Sequence, residues 1–289
     1  MITAREILSK ASDALAAAGR QEVQLNAELL LEHAAGKPRL HFQVNPEENL
    51  SPEAVKRFNS FIKKRATGLP LAYITGTQHF RGLELRVTPA VLIPRPETEE
   101  LAGLALAELA SIAKTAPVAL DLCTGSGCIA CALASENANC RVIASDVSPS
   151  ALRVARENAK KLGLSQRISF SLSNLFKDLK GRADVIVSNP PYVPATELPA
   201  LEKELSFEPA LALDGGPDGL LPARAIVAGA PAHLQPGGKL LLELALGQPQ
   251  RLKRELDAKI WDNIGIAKDM QGVERFLTAT LTGAKQHHG

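Results

Sequence analysis

The run Pro117-Val118-Ala119-Leu120-Asp121-Leu122-Cys123-Thr124-Gly125-Ser126-Gly127-Cys128-Ile129-Ala130 constrains the fold more than any other part of the chain. An apolar strand enters a glycine turn, and an apolar helix follows at once. A second strand, Arg141-Val142-Ile143-Ala144-Ser145, ends at Asp146, so the region reads as a βαβ unit. Glycines let the backbone approach a ligand closely, and the helix N-terminus offers unpaired N–H groups. The Asp146 carboxylate can accept both hydroxyls of a ribose, which suits a nucleoside cofactor. Gly125-Ser126-Gly127-Cys128-Ile129-Ala130 also fits the dinucleotide fingerprint G-x-G-x-x-A, so that motif alone leaves the nucleoside open. Asp121 argues against a dinucleotide. Its carboxylate would repel a pyrophosphate but suits the ammonium and sulfonium of S-adenosylmethionine.

The rest of the chain continues the pattern. Strands at 118–122, 141–145, 167–172, 183–188 and 238–244 alternate with helices at 128–136, 149–162, 219–234 and 248–258. Two closing strands follow near 260–267 and 274–281. This alternation predicts an α/β fold, a mostly parallel sheet with helices on both faces and ligand loops at its carboxyl edge. Ahead of it, Thr3 with Glu6 opens an amphipathic helix through Ile7, Leu8, Ala11, Leu15 and Ala18 to Gly19. Val23 to Ala35, with Leu25, Leu29, Leu30 and His33, makes a second helix ended by Gly36. Ser51-Pro52-Glu53 starts a third, through Phe58, Phe61 and Ile62 to Gly68. Between Gly76 and Pro94 the spacing turns to alternation, with Leu83, Leu85 and Val87, which predicts a β-hairpin. The expected organisation is a helical bundle over 1–75 that docks substrate, a hairpin connector over 76–95, a cofactor-binding domain over 96–283 and a polar tail over 284–289. Arg95 to Thr98 is expected to fold back over the cofactor cleft.

Asn189-Pro190-Pro191-Tyr192 closes the strand Ala183-Asp184-Val185-Ile186-Val187-Ser188 and suits a flat, conjugated NH2 group. The lone pair of such a nitrogen is delocalised, so an enzyme that uses it as a nucleophile must hold both N–H bonds and aim the nitrogen. The Asn189 side-chain carbonyl and the Pro190 backbone carbonyl can accept the two donors while the Tyr192 ring packs on the plane. Two prolines fix φ and keep the loop stiff. Hydride transfer has no use for a double acceptor of N–H bonds, whereas methyl transfer to nitrogen does.

Asp121 to Gly127, Asp146 and Asn189 to Tyr192 together resemble the class I S-adenosylmethionine-dependent methyltransferases that act on amino groups. Tyr73-Ile74-Thr75-Gly76, His79-Phe80-Arg81-Gly82, Leu92-Ile93-Pro94-Arg95-Pro96-Glu97-Thr98-Glu99, Phe207-Glu208-Pro209 and Asp214-Gly215-Gly216-Pro217-Asp218-Gly219 are similar to one branch, the peptide chain release factor glutamine methyltransferases. The resemblance implies a Rossmann-like methyltransferase fold with a small N-terminal helical domain. It also implies methylation of the glutamine side-chain amide in the Gly-Gly-Gln motif of class I release factors. It places Cys123, Thr124, Gly125, Ser126 and Gly127 along the methionine part of the cofactor and Asp146 on the ribose. Asn174 and Leu175 would border the adenine, Asn189 would touch both cofactor and substrate, and Phe207 would lie beside the cleft. In two places the chain departs from the family pattern. Cys123 replaces a glycine, so the turn there is expected to do without positive φ or to differ slightly. Asn174 and Leu175 replace an acidic residue and, often, an aromatic one.

The chain has 289 residues and a formal charge of +2, so no global basic field recruits nucleic acid. No apolar stretch has membrane-spanning length and the start lacks a signal-peptide pattern, so a cytoplasmic protein is expected, as a monomer. A nucleic-acid adenine methyltransferase would use the same loop on a flipped base, but would be expected to add a basic, aromatic target-recognition region. A glutamine methyltransferase of a ribosomal protein is chemically nearer, and the Pro94 to Glu99 segment weighs against it. A cofactor-binding module without catalysis is the remaining class; the intact Asn189 to Tyr192 loop weighs against it.

Cys123, Cys128 and Cys131, with Cys140, reproduce an iron–sulfur spacing. Their placement along a strand, turn and helix instead indicates free thiols packed on the sheet. His33, His41, His79 and His233 show no metal spacing, and His287 and His288 fall in the tail. Lys56, Arg57, Lys63, Lys64 and Arg65 read as a solvated helix face, with docking of a protein substrate as the sharper alternative. Glu202, Glu204 and Glu208 read as ordinary loop acids.

Overall fold

The computed structural model describes residues 2–283; the tail 284–289, with His287 and His288, lies outside them. The chain divides into two compact units, Met1–Thr77 with Glu202–Phe207, and Gln78–Leu201 with Glu208–Gly289. The sequence suggests a separate hairpin connector, whereas the division at Thr77 leaves nearly all of the hairpin with the sheet. The addition of Glu202–Phe207 to the helices has no signal in the sequence pattern.

The first unit contains α1 (Ala4–Ala17), α2 (Val23–Ala35), α3 (Arg39–Val44), α4 (Pro52–Ala66) and α5 (Leu71–Thr75). Thr3 and Glu6 form the expected capping box, Ser51 caps α4 with proline in its first turn, and Gly36 ends α2 at φ 70°. Ile7, Leu15, Leu30, Leu31, Phe42, Phe58 and Ile62 share one core. Each such side chain contributes about 1.5–3 kcal/mol on burial. The short helices α3 and α5 follow Pro38 and Pro70 and are too brief to show a helical period. The face of α2 also differs from expectation. Asn26, Ala27, Leu30, Leu31 and Ala34 turn inward and Leu25 is exposed, because packing on α1 and α4 rather than leucine count selects the face.

Arg65 corrects the solvated-face reading. Lys56, Arg57, Lys63 and Lys64 are exposed, but Arg65 is 6% exposed and fully engaged. Its Nε donates to Asn26 Oδ1 at 2.7 Å, Nη1 to Leu69 O at 3.1 Å and Nη2 to Glu204 at 3.0 Å. Glu204 is therefore a tether for its segment and not an ordinary loop acid. Arg65→Ala strands the buried Asn26 Oδ1 and frees two part-buried acceptors, Leu69 O and Glu204, and is expected to destabilise this unit by about 2–4 kcal/mol, read from a denaturant midpoint. An unchanged midpoint would contradict the tether.

In the second unit β1 (Thr77–Phe80) and β2 (Leu83–Arg86) form the hairpin, turning at Arg81 and Gly82, both at positive φ. Then come α6 (Pro96–Ser111), β3 (Val118–Leu122), α7 (Cys128–Glu136), β4 (Arg141–Asp146), α8 (Pro149–Lys161), β5 (Ile168–Leu172), β6 (Ala183–Ser188), α9 (Leu221–His233), β7 (Leu234–Glu243), α10 (Gln248–Glu255), β8 (Trp261–Lys268) and β9 (Glu274–Leu281). The sheet order is β5-β4-β3-β6-β7-β9-β8, and β9 runs antiparallel to both its neighbours. This is the mostly parallel sheet that the strand and helix alternation predicts.

Alternate residues of the central strands point to opposite faces. Ala119, Val185, Val187 and Leu241 pack with α6 and α7, while Leu120, Leu122, Ile186, Leu240 and Leu242 pack with α9 and α10. Both faces are thus covered, which is why these strands read as continuous apolar runs.

Candidate active site

Strand order reverses between β3 and β6: β4 and β5 extend one way from β3, and β7 extends the other way from β6. Ligands bind at such a switch point, outside the carboxyl ends of the strands. A cavity of ≈ 330 Å³ lies there, within the range of small-molecule sites. Of the residues expected from sequence, Cys123, Thr124, Gly125, Ser126, Asp146, Asn174, Leu175, Asn189 and Pro191 line it; Asp121, Gly127, Pro190 and Tyr192 do not.

The glycine turn is held from beneath. Asp121, on β3, is buried, and its Oδ2 accepts from Thr124 Oγ1 at 2.6 Å and Ala130 N at 3.1 Å, tying strand, turn and helix together. Burial pushes this carboxyl up to about 7. Asp146 accepts from Gly125 N and Ser148 N, both at 2.9 Å, and burial raises it as well. Each oxygen keeps a second lone pair for a ligand hydroxyl. Gly127, at φ 80°, caps α7, and a Cβ there would press on Ala155 at 3.1 Å, so helix packing explains this glycine.

Cys123 adopts φ 57°, so the turn keeps positive φ without glycine. A left-handed residue with a Cβ costs about 1–2 kcal/mol. Leu175 does the same at φ 50°, and that bend sets it into the cavity wall beside Asn174.

Residues 90–98 form another wall through Ala90, Val91, Leu92, Pro94 and Thr98. Arg95 turns from the cavity to pair with Glu208, which also accepts from Ile93 N at 2.9 Å. Glu208 is 6% exposed, so it too is no ordinary loop acid; it fastens the wall. Phe207 is absent from the lining, which resumes at Pro209. Asn158, unremarked in the sequence, joins the hairpin to the glycine turn. Its Nδ2 donates to Ser126 O at 2.9 Å and Arg86 O at 3.0 Å, and its Oδ1 accepts from Arg86 N at 2.7 Å. A polar residue on the apolar face of α8 was its only signal.

The Asn189 to Tyr192 loop is clamped from behind. Val193 N donates to Leu213 O at 2.9 Å, and Gly215 N donates to Val193 O at 2.8 Å. Gln248 Nε2 donates to Tyr192 O at 2.8 Å. Gly215 and Gly219 are required by close approach, since a Cβ on either would overlap the Tyr192 backbone. At the front, Asn189 Nδ2 donates to Thr98 Oγ1 at 3.0 Å, and Thr98 Oγ1 donates to Glu243 Oε2 at 2.8 Å. Burial pushes Tyr192 up to about 12 and Glu243 up to about 7.

A cofactor with a ribose and a cationic end fits this site. The cavity joins the Asp146 carboxylate to the apolar Val147, Ala151, Leu175 and Leu221, and Asp121 Oδ1, below the turn, is buried without a hydrogen-bond partner. The four cysteines are free thiols. His33 packs on Phe61, His41 bonds to Glu48, and His233 stacks on Phe176 with ring centroids 4.7 Å apart.

Residues 6–76 match the model described as the PrmC N-terminal domain, and residues 104–206 match the methyltransferase small domain. The release factor glutamine methyltransferase of Moorella thermoacetica is 44% identical over 87% of this chain and 89% of its own length. This chain belongs to the release factor glutamine methyltransferase family. The family member of Cereibacter sphaeroides is 42% identical over 97% of this chain and 99% of its own, so the likeness spans both compact units. The family member of Deinococcus radiodurans is 40% identical over 96% of this chain and 99% of its own.

Proposed function

We propose that this chain transfers the methyl group of S-adenosylmethionine to the side-chain amide nitrogen of the glutamine in the Gly-Gly-Gln motif of class I peptide chain release factors. The observation that carries the reading is the polarity of Asn189. Its NH2 end is given to Thr98, so Oδ1 is the end left to accept an N–H at the cavity. Bound, the cofactor supplies an electrophilic methyl group on a sulfonium.

Asn189 Oδ1 and the Pro190 carbonyl would hold the two amide hydrogens, and the Tyr192 ring would pack on the amide plane, with Pro191 stiffening the loop. The carbonyls of Tyr192 and Val193 accept from Gln248 and Gly215, which favours an acceptor earlier in the loop. Cys123 to Gly127 would line the methionine part of the cofactor, Asp146 the ribose, and Asn174 and Leu175 the adenine. Asp121 would act by shaping the turn. A proton leaves the nitrogen once methyl transfer has raised its acidity, and water can take it. Orientation then supplies most of the catalysis, on the order of 7–11 kcal/mol at best.

Among the described residues no helix is long and apolar enough to cross a membrane, and the reaction is assigned to the cytoplasm, where translation runs. Residues 1–75 are assigned to substrate docking, 76–95 to the link and 96–283 to transfer. The exposed Lys56, Arg57, Lys63 and Lys64 are the docking candidates. Changing these four to Gln is expected to raise KM for the release factor severalfold with kcat kept; an unchanged KM removes the docking role.

The whole reading is tested by incubating the protein with methyl-labelled S-adenosylmethionine and either a class I release factor, a ribosomal protein mixture or duplex DNA, then mapping the label by mass spectrometry. One methyl on the Gly-Gly-Gln glutamine supports it. Label elsewhere, with the release factor unmodified, replaces the substrate.

A further inference from the structure

Thr98 Oγ1 sits between two partners: Asn189 Nδ2 at 3.0 Å and Glu243 Oε2 at 2.8 Å, with Thr98 2% and Glu243 1% exposed. Resting on the role proposed above for Asn189, we propose that Thr98 and Glu243 are positioning residues that fix which end of the Asn189 amide faces the substrate, and that they make methyl transfer sensitive to protonation of Glu243.

Hydrogen-bond polarity sets the orientation of Asn189. The two ends of a carboxamide are nearly the same size, so shape alone cannot orient Asn189. A hydroxyl has one hydrogen. If Thr98 gives that hydrogen to the Glu243 carboxylate, only lone pairs remain on its oxygen, and those pairs accept from the Asn189 NH2. The flipped amide would set Oδ1 against an oxygen with no hydrogen to give, a buried mismatch worth about 1–3 kcal/mol. It would also turn NH2 toward the NH2 of the substrate, donor against donor. Glu243 thus dictates, through Thr98, that Asn189 meets the substrate as an acceptor.

Protonation of Glu243 removes that instruction. The neutral acid is a weaker acceptor and can itself donate to Thr98 Oγ1, which frees the threonine hydrogen to meet the flipped Oδ1. The groups around Glu243 are Glu97 and Arg95 at the start of α6, Arg275 on β9, and Tyr192 of the substrate loop. Burial raises its pKa first of all and Glu97 adds to this, while Thr98, Arg275 and Arg95 oppose, leaving it at about 7. The working form is the carboxylate, so turnover falls as pH drops through that value. No local pattern signals their pairing: they are 145 positions apart, and Thr98 lies 91 from Asn189.

The test measures kcat and KM between pH 5.5 and 9 for the full chain with S-adenosylmethionine and a class I release factor, beside cofactor affinity by calorimetry. Wild type is expected to show an acid limb in kcat centred near 7, and Glu243→Gln to lose that limb. Thr98→Val should lower kcat about tenfold or more with cofactor affinity within about threefold, and Thr98→Ser, which keeps the hydroxyl, should recover most of the loss. An acid limb that persists in Glu243→Gln overturns the proposal, as does Thr98→Val with wild-type kcat or Thr98→Ser as impaired as Thr98→Val. If Glu243→Gln does not fold, the Thr98 pair still decides. Asn189→Ala, run in parallel, separates the two ideas. Full turnover in that variant sinks the site reading, whereas an inactive Asn189→Ala with an unaltered limb in Glu243→Gln sinks only the relay.

Discussion

Asn189→Ala is expected to lower kcat by roughly 10²- to 10³-fold, the scale seen when one preorganised hydrogen-bonding group is removed from a reacting centre. Two things are lost together. The substrate amide loses an acceptor, and Thr98 Oγ1 loses the donor that it now accepts from at 3.0 Å. Asn189 is also part of the cavity wall, so cofactor affinity should weaken yet stay measurable by calorimetry. Tyr192→Phe should be milder than Tyr192→Ala, since the ring and not the hydroxyl packs on the amide. Near-wild-type turnover in Asn189→Ala would remove the residue from the reaction.

Gly219→Ala is expected to be the most damaging single-methyl change, although Gly219 does not line the cavity. A Cβ there would overlap both the Tyr192 carbonyl oxygen and the Gln248 side-chain nitrogen, and the backbone stands at φ 77°. The methyl group must displace the carbonyl that Gln248 holds at 2.8 Å, and with it the Asn189 to Tyr192 loop. Left-handed strain and overpacking together give a loss of about 2–5 kcal/mol in stability. Misplacing the loop by about 1 Å is enough for a drop of roughly 10² in turnover. Gly237 provides the control. It has nearly the same backbone, φ 79°, but a Cβ there has nothing within 4 Å. Gly237→Ala should therefore lose only about 1–2 kcal/mol and keep its turnover. Equal melting temperatures and rates for the two variants would show that the close approach at Gly219 does not matter.

The legible parts of this protein were those encoded by short-range signals. The capping box at Thr3 and Glu6, the glycine stop at Gly36, and the apolar runs that became β3, α7 and β6 were set by neighbours within a few residues. So were the glycine turn and the Asn189 to Tyr192 loop, because only certain residues give a stiff, carbonyl-presenting turn after a strand. Strand and helix alternation then placed both loops at one edge, since parallel crossovers leave few topologies.

Tertiary structure decided the partners. Arg65 and Glu208 read as solvated charges because exposure is not a local property; only folding brought Asn26 and Glu204 to the first, and Ile93 N and Arg95 to the second. Cys123 was expected either to do without positive φ or to alter the turn slightly; it adopts 57°, in a turn tied to Asp121 through Thr124 and to Asp146 through Gly125. Asp121, read from sequence as a ligand group, also anchors the turn through Thr124 Oγ1 and Ala130 N, which spacing did not show. Asn158, Glu243 and Gln248 carried no motif that singled them out for the site, and Thr98, whose segment was expected over the cleft, carried no sign of its partners. Each acts through a hydrogen bond to a distant segment, and sequence spacing carries no information about a bond whose length is set by the packing of a sheet against its helices.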